Sequence, residues 1–333
     1  MLDESMVLTL ERHSYRLEAP LAGSAYGLVW RATQLPAGRQ LALKFVNQAQ
    51  MGRAAPEQQQ RWIDGARREA AFLRQLSPWD GRHIVRLIDS GEHAGLPVLA
   101  LELLEGDAGA WVARRRAARL PGDAARALAW IGQLNQALAK VHQQGWRHLD
   151  IKPSNLLLDQ NAQRIKLTDF GTSQVDAALH DFTGTPNWQA PEQVFAAAGS
   201  PGAAYRTSPA SDYFAMGALL YYFVTGGEAL RFCSACAGAW RESRLDAAAR
   251  LRAAHGGALP PTLHEDEASR FEQGCGEAIG HRAAAHVLQL LRQLLAFEPA
   301  ARPPHALAIG RMLDLAGAGG ELCTQGTPAW SLA

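Results

Sequence analysis

Short apolar runs with polar boundaries dominate the first hundred residues of the chain. Residues 41–46 and 97–103 are two such runs, and each has the length of a β-strand. Between them, residues 57–76 place apolar side chains three to four positions apart, which predicts an amphipathic helix. The pattern therefore predicts a small β-rich part that contains one long helix.

Past Gly106 the pattern changes to long runs that are rich in alanine and leucine and have helical spacing. The clearest predicted helices are residues 124–142, 211–225 and 283–297. A β-rich half followed by a larger helical half predicts an α+β chain with two lobes. The Gly-rich stretch at 317–333 is expected to be loosely ordered.

The composition excludes several classes of protein. Hydrophobic residues make up 47% of the 333 residues, charged residues 20%, and the net charge is +1. These values argue against a disordered chain and against a protein that binds nucleic acid through its charge. No apolar run reaches the roughly 18 residues of a membrane-spanning helix. The acidic first residues lack a secretory leader, and the Ala- and Arg-rich composition is typical of bacteria, so we expect a bacterial cytoplasmic protein.

The four cysteines all lie in the second half of the chain: Cys233, Cys236, Cys275 and Cys323. In the cytoplasm they are expected to be reduced thiols. Cys233 and Cys236 have half of the spacing of a zinc ribbon, and His255, His264 and Cys275 could supply the ligands that complete a tetrahedral site. Because no second cysteine pair follows, we do not expect zinc.

Lysine is rare in this chain. Of the 33 basic residues, 29 are arginines and four are lysines: Lys44, Lys140, Lys152 and Lys166. A compositional drift toward arginine explains the excess but not the positions at which lysine remains. An arginine cannot replace a compact ammonium group in every geometry, so each lysine is a candidate for a specific role.

Candidate catalytic and metal-binding side chains are concentrated within residues 148–171. Asp150 can accept or orient a hydroxyl proton, and Lys152 can balance charge on a moving phosphate. Asn155 and Asp169 offer the hard oxygen ligands that Mg²⁺ prefers. This set of side chains is suited to the transfer of a phosphoryl group.

Together with the motifs around it, this segment resembles the catalytic core of the eukaryotic-type (Hanks-type) serine/threonine protein kinases, along residues 15–315. The resemblance implies a two-lobed kinase fold, with an N-lobe at 1–101, a hinge at 102–108 and a helical C-lobe at 109–316. It also implies ATP and Mg²⁺ as cofactors. The implied catalytic residues are Asp150, Lys152, Lys44, Glu69 and Thr185, and the implied Mg²⁺ ligands are Asn155 and Asp169.

The resemblance also implies an ATP site. Lys44 on the third strand would pair with Glu69 of helix C and contact the phosphates, and Leu101 would be the gatekeeper before the hinge. Either Glu105 or Asp107 would reach the ribose. The implied ATP-binding residues are Ala22, Gly23, Ser24, Tyr26, Gly27, Val29, Ala42, Lys44, Leu101, Glu102, Leu104 and Leu157.

Three further positions match structural motifs of the family. Arg302 would pair with Glu192 of the Ala-Pro-Glu motif, and Asp212 would anchor the backbone near His148. His148 is expected to be a packed core histidine rather than a base. Thr185 would bond Asp150 and Lys152, as its counterpart does in Ser/Thr kinases.

The chain departs from the family pattern at two places. The phosphate loop keeps only its last glycine in place, Gly27, while Ala22 and Ser24 replace the first two. Because alanine and serine carry a Cβ atom that glycine lacks, the backbone of this loop is expected to approach phosphates less closely. Leu149 stands where most regulated kinases have the arginine that pairs with an activation-loop phosphate. We therefore expect activity that does not depend on such a phosphate.

The sequence predicts a Ser/Thr protein kinase, which is expected to autophosphorylate. Two alternatives stay open: a pseudokinase or scaffold, and a small-molecule phosphotransferase. The Ala-Pro-Glu motif, Asp212 and Arg302 disfavour the phosphotransferase. Expected partners are a protein substrate with a Ser/Thr acceptor and a regulatory partner in trans, without nucleic acid.

Overall fold

The structure is a computed structural model and describes residues 2–24, 27–77, 80–175, 184–195 and 205–318. The chain divides into two compact units, Met1–Trp111 with Gln136–Ala178, and Val112–Asn135 with Leu179–Ala333. The first unit holds the β-strands, and the second is helical. The α+β class predicted from the sequence is therefore confirmed.

The strands are β1 (Val7–Thr9), β2 (Ser14–Gly23), β3 (Gly27–Leu35), β4 (Gln40–Val46), β5 (Leu87–His93), β6 (Leu96–Glu102), β7 (Gly106–Asp107), β8 (Trp146–Arg147), β9 (Leu156–Leu158), β10 (Ile165–Leu167) and β11 (Gln174–Val175). The helices are α1 (Gln48–Met51), α2 (Pro56–Gln75), α3 (Ala108–Ala117), α4 (Ala124–Gln143), α5 (Pro191–Val194), α6 (Pro209–Val224), α7 (Arg231–Ser243), α8 (Ala247–Ala254), α9 (Glu265–Ile279), α10 (His281–Leu294) and α11 (Ala306–Ala318).

Six strands of the first unit form one antiparallel sheet in the order β1-β2-β3-β4-β6-β5. One face packs on an apolar core that includes Leu17, Leu43, Phe45 and Val98. Because side chains alternate along a strand, Lys44 points to the opposite face from its neighbours Leu43 and Phe45. The strand pair β11-β8 lies on either side of residues 148–171, and strands β9 and β10 of the smaller sheet β10-β9-β7 lie within them.

Helix α2 packs closely against the turn Phe170–Thr172. Pro56 occupies the first turn of the helix, where its missing N–H costs no hydrogen bond. Gly65 faces the turn, and a Cβ atom added there would lie 2.8 Å from the carbonyl oxygen of Gly171. A larger residue at position 65 would therefore push α2 away from the segment that carries Asp169.

Helix α6 is the central helix of the second unit. The hydroxyl of Ser208 accepts a hydrogen bond from Ala210 N–H and caps the helix, and Pro209 starts it. Nearly every residue from Ser211 to Val224 is buried, which is the pattern of a helix surrounded by other elements. Among the described residues, no helix is both long and apolar enough to cross a bilayer.

The helices predicted from periodicity are present as α2, α4, α6 and α10. The prediction for α10 ran too far, because the helix ends at Leu294 and the predicted segment at residue 297. Helix α11 reaches Ala318 and so enters the stretch expected to be loosely ordered. Residues 319–333 lie outside the described part of the chain.

Three of the cysteines are free thiols in the helical unit. Cys233, Cys236 and Cys275 are each buried. Burial raises the pKa values of Cys236 and Cys275 to about 12, so these thiols stay protonated at neutral pH. The described His, Cys, Asp and Glu side chains form no cluster of three or more that could hold a metal ion.

A buried ion pair links α5 to the segment between α10 and α11. Arg302 Nη1 donates to Glu192 Oε1 at 2.7 Å, and its Nη2 donates to Glu192 Oε2 at 2.9 Å. The remaining donors of Arg302 bond the carbonyls of Ala296, Ala210 and Phe297. The pair predicted from the sequence is confirmed, and every N–H of the guanidinium has an acceptor.

The first prediction concerns this pair. The Arg302 side chain is fully buried, so Arg302→Met should leave the Glu192 carboxylate without its cation and lower the free energy of unfolding by about 3–5 kcal/mol. Urea unfolding followed by tryptophan fluorescence measures the change.

The matched control is Arg67→Met, whose ion pair with Glu92 is exposed and should be worth about 1 kcal/mol or less. Equal effects of the two substitutions would show that the buried pair has no special structural weight.

Candidate active site

Three polar side chains converge at the start of the segment that follows β8. Lys152 Nζ lies 2.7 Å from Asp150 Oδ2, and Asn155 Nδ2 lies 3.3 Å from the same oxygen. Asn155 Nδ2 also donates to the backbone carbonyl of Asp150 at 2.8 Å. Asp150 and Asn155 are both buried. The 3₁₀ turn Pro153–Asn155 supplies the short spacing that brings the amide back to the carboxylate.

His148 fills the space behind this loop. It is fully buried, its Nε2 bonds the carbonyl of Thr168 at 2.9 Å, and its ring meets Phe170 edge-on at 4.9 Å. The expectation of a packed core histidine is confirmed. Leu149 has a φ of +64°, a left-handed conformation that costs a non-glycine residue roughly 1–2 kcal/mol. The chain therefore holds strain beside Asp150.

One ammonium group meets two carboxylates at Lys44 on β4. Its Nζ lies 2.7 Å from Glu69 Oε2 on α2 and 2.8 Å from Asp169 Oδ1. The Glu69 side chain is 1% exposed, whereas that of Asp169 keeps 43% of its surface exposed. The ion pair with Glu69 is the one that the sequence predicted. The contact with Asp169 is an addition from the tertiary structure.

The charges of this cluster support one another. Burial alone would lower the pKa of Lys44, but Asp169 and Glu69 outweigh that effect and raise it. The Lys44 cation in turn lowers the pKa of Asp169 to about 2. Burial raises the pKa of Glu69 against the opposing effect of Lys44. At neutral pH, Asp169 is thus a carboxylate beside a charged lysine.

The two residues that the sequence proposed as Mg²⁺ ligands are neighbours. Thr168 N–H donates to the carbonyl of Asn155 at 3.0 Å, which brings Asn155 beside the residue that follows, Asp169. The amide nitrogen of Asn155 is used by Asp150, so its amide oxygen is the atom that could bind a cation. With the partly exposed, ionised carboxylate of Asp169, the donor set fits Mg²⁺.

The turn between β2 and β3 is closed by a serine where the family pattern has glycine. Ser24 N–H donates to the carbonyl of Gly27 at 2.8 Å, and the hydroxyl of Ser24 accepts from Gly27 N–H at 3.1 Å. Asn47 Nδ2 holds the carbonyl of Ser24 at 2.7 Å. Ala22 and Gly23 lie at the end of β2. Tyr26 lies outside the described residues.

Apolar residues that the sequence assigned to adenine share one face of the sheet. Val29 pairs directly with Lys44, and Ala42 pairs directly with Leu101. Directly opposite residues of an antiparallel pair lie on the same face, as do residues two apart in a strand. The face that carries the Lys44 ammonium therefore also carries Val29, Ala42 and Leu101. Leu157 lies on β9 and is partly buried.

The predicted hinge begins at a tightly held residue, Glu102. Its N–H donates to the carbonyl of Arg86 at 3.0 Å, and its carboxylate accepts from Arg86 N–H at 2.8 Å. Lys166 Nζ lies 2.5 Å from the same carboxylate. Any backbone contact of Glu102 with adenine would thus use its carbonyl. Leu104 follows in the connection to β7.

Asp107 has a structural bond. Its Oδ1 accepts from Ala110 N–H at 2.8 Å and so caps the first turn of α3. Thr185 lies in the helical unit, where its carbonyl accepts from Trp188 N–H at 3.2 Å. Its bond to Asp150 and Lys152 stays a prediction.

The sequence analysis assigned no place in the site to two of its residues, Asn47 and Lys166. Asn47 directly follows β4 and both caps α1 and holds the β2–β3 turn. Its signal was a buried polar residue at the end of an apolar strand. Lys166 was known only as one of four lysines, and its pairing with Glu102 depends on the packing of β10 near the hinge.

Comparison with known proteins agrees with this geometry. Residues 15–309 match the model of the protein kinase domain. The chain is 30% identical over 293 residues to the serine/threonine-protein kinase pkn2 of Myxococcus xanthus, covering 82% of this chain and 32% of that protein. It is 33% identical to the serine/threonine-protein kinase PkaA of Streptomyces coelicolor, over 64% of this chain and 39% of that protein. It is also 32% identical to human NUAK family SNF1-like kinase 1, over 65% and 30%.

The chain spans about a third of the length of these relatives. The domain match, in contrast, covers most of this chain and includes both charged clusters of the first unit. With the kinase motifs in order and the predicted ion pairs Lys44–Glu69 and Arg302–Glu192 in place, the chain belongs to the protein kinase domain family.

Proposed function

We propose that this chain is a Ser/Thr protein kinase that transfers the γ-phosphoryl group of Mg-ATP to Ser/Thr hydroxyls of proteins, its own included. The observation that carries the proposal is the presence, within one compact unit, of the Lys44–Glu69–Asp169 cluster and the Asp150–Lys152–Asn155 cluster. The first would bind nucleotide and metal, and the second would act on the acceptor hydroxyl. The Ser/Thr kinases among the relatives support the choice of acceptor.

The ATP phosphates would bind at Lys44. Its ammonium is held by two carboxylates on the face that carries Val29, Ala42 and Leu101, so a nucleotide on that face can bring its phosphates to the charge while its base packs on apolar side chains. Glu69 fixes the direction of the ammonium because it is buried and cannot reorient in solvent. The closed Ser24–Gly27 turn would cover the phosphates.

Asn155 and Asp169 would hold Mg²⁺, and the bound ion would neutralise charge on the phosphate oxygens. Asp150 would orient the acceptor hydroxyl and take up its proton at the carboxylate. Lys152 is bonded to that carboxylate and would balance charge on the moving phosphate. This loop is held in place by Asn155, whose amide bonds both the backbone and the side chain of Asp150.

The finer features of the site belong to the same proposal. Leu149 cannot pair with a phosphate, so an activation-segment phosphate would have no arginine beside Asp150. Ser173, a possible acceptor in that segment, is fully buried, and Thr172 Oγ1 donates to the carbonyl of His148. Both would have to leave their present packing before modification.

The lobe boundaries at 101 and 108, the cytoplasmic location, the bacterial origin and a regulatory partner in trans are part of the proposal. The bacterial relatives support the origin. The Ala- and Arg-rich composition supports the location. The assignment of the catalytic residues does not depend on any of these four features.

The second prediction concerns Asp150. The substitution Asp150→Asn keeps the shape of the side chain and removes the proton acceptor, so phosphoryl transfer should fall by about 10²–10⁴. Nucleotide affinity should stay unchanged, because Lys44 is untouched. Transfer from radiolabelled ATP to a generic protein and binding of a fluorescent nucleotide measure the two properties.

The matched control is Asp64→Asn on α2, whose side chain accepts an exposed hydrogen bond from Gln60, and this variant should leave both properties unchanged. Nucleotide binding without transfer in the unaltered chain would indicate the scaffold alternative. Transfer to an aminoglycoside or choline, but to no protein, would indicate the small-molecule phosphotransferase.

The third prediction concerns the two lysines of the site. Lys44 and Lys152 each place one ammonium within 2.8 Å of a carboxylate in a mostly buried setting, where a forked guanidinium does not fit. Lys44→Arg should raise the KM for ATP by about tenfold or more, and Lys152→Arg should lower kcat by a similar factor. Retention of full activity by both variants would show that lysine is not required at these positions.

The fourth prediction concerns phosphorylation. Protein treated with a phosphatase should keep its initial rate to within about twofold, because Leu149 offers no charge to a docked phosphate. Thr172, Ser173, Thr183 and Thr185 would be replaced singly by alanine. Loss of activity that glutamate restores at Thr172, Ser173 or Thr183 would contradict the prediction. Thr183 lies outside the described residues, and Thr185 should lose activity in any case.

A further inference from the structure

A surface cavity lies in the first unit and shares no lining residue with the site around Lys44 and Asp150. Its volume is about 490 Å³. Arg82 and His83 line one side, and Gln136, Lys140 and Gln143 of α4 line the other, with two alanines of the same helix between them. Arginine, lysine and two amide side chains from separate elements thus face one space.

Cationic side chains lie near this cavity, and one of them, Lys166, is paired with Glu102. His83 is buried, and its Nδ1 bonds the carbonyl of Ile165 at 3.3 Å. Burial lowers the pKa of His83, and the charges of Arg82, Lys166 and Arg164 lower it further. The Arg82 side chain is exposed, and Lys140 Nζ lies 3.4 Å from Gln143 Oε1 on the opposite wall. An anion that entered the cavity would therefore meet two cationic side chains, Arg82 and Lys140.

The side chains select among anions. A guanidinium can donate two parallel hydrogen bonds to the oxygens of a phosphate, and an ammonium adds a second positive charge. Two positive charges match a phosphate monoester, which carries up to two negative charges, better than a carboxylate, which carries one. Amide side chains such as those of Gln136 and Gln143 bind hydroxyl groups equally well as donors and acceptors. The volume lies in the range of small-molecule sites and exceeds that of a bare phosphate ion.

We propose that this cavity binds a small phosphate monoester with a polar organic part. Arg82 and Lys140 hold the phosphate, and Gln136 and Gln143 contact hydroxyl groups of the organic part. Lys140, one of only four lysines in the chain, thereby has a chemical role at a position where the drift toward arginine did not remove it.

The wall of the cavity is joined to the strand that leads to Asp169. Leu167 N–H donates to the carbonyl of His83 at 2.9 Å, and Val85 N–H donates to the carbonyl of Leu167 at 2.9 Å. Strand β10 ends at Leu167, two residues before Asp169. A ligand in the cavity therefore binds to the same hydrogen-bonded element that positions the carboxylate at Lys44.

The fifth prediction tests this site by calorimetric titration of the full chain with glycerol 3-phosphate and, separately, with inorganic phosphate. A saturating non-hydrolysable ATP analogue with Mg²⁺ is present, so that phosphate cannot enter the site around Lys44. Glycerol 3-phosphate should bind, and more tightly than inorganic phosphate. Arg82→Gln and Lys140→Gln should each weaken its binding by about tenfold. The matched control Arg53→Gln removes an exposed arginine outside the cavity and should change nothing.

A second measurement detects ligand binding through the pKa of His83 and does not depend on calorimetry. When glycerol 3-phosphate occupies the cavity, its negative charge should raise the pKa of His83 by roughly half a unit or more. Nuclear magnetic resonance of the His83 imidazole ring measures this pKa. The rise should be absent in Lys140→Gln, whose thermal unfolding midpoint should match that of the unaltered chain.

Three results would overturn the proposal. The first is no binding of glycerol 3-phosphate at millimolar concentration. The second is binding that Arg82→Gln and Lys140→Gln leave unchanged. The third is binding of a phosphoserine peptide but not of the free ester, which would assign the cavity to a phosphorylated protein segment instead.

Discussion

The ammonium of Lys44 is the contact on which the arrangement of the first unit depends. Three separate elements bring charge to it: β4 supplies the lysine, α2 supplies Glu69, and the turn after β10 supplies Asp169. Two carboxylates this close repel each other unless a cation lies between them, and Glu69 is too deeply buried to be neutralised by solvent. The positions of α2 and Asp169 are therefore coupled through one side chain. The close approach at Gly65 adds a steric constraint to the electrostatic one, because it lets α2 reach the turn that carries Asp169.

Two of the ion sites in the described part of the chain differ in a way that separates structure from function. Arg302 is fully enclosed, and all of its donors have acceptors, so nothing is left for a ligand. The site around Lys44 keeps an exposed carboxylate at Asp169, and left-handed backbone occurs at both Leu149 and Asp169. Strained backbone and unsaturated charge are stable only where the surrounding packing holds them, and they are typical of sites that act on a substrate.

The four lysines occupy positions whose roles the composition predicted only in part. Rarity against a background of 29 arginines singled out four positions, and two of them, Lys44 and Lys152, each meet a carboxylate in the active site. The rarity of lysine did not indicate a role for Lys140 or Lys166. Lys166 lies against Glu102 because β10 packs beside the end of β6, and Lys140 lines a cavity because α4 packs beside residues 82–83. Neither neighbour is near in sequence.

The sequence by itself determined the class of fold, the main helices and the identity of the catalytic loop, because these depend on local periodicity and on residues only two to five positions apart. Asp150, Lys152 and Asn155 meet through a single short turn, so their spacing already fixes their chemistry. The tertiary structure decided the second carboxylate at Lys44, the closure of the phosphate turn by Ser24 and Asn47, and the cavity at His83. Each of these joins side chains from elements that are distant in the chain. Such contacts depend on the register of strands and the packing of helices, which no pattern of neighbouring residues specifies.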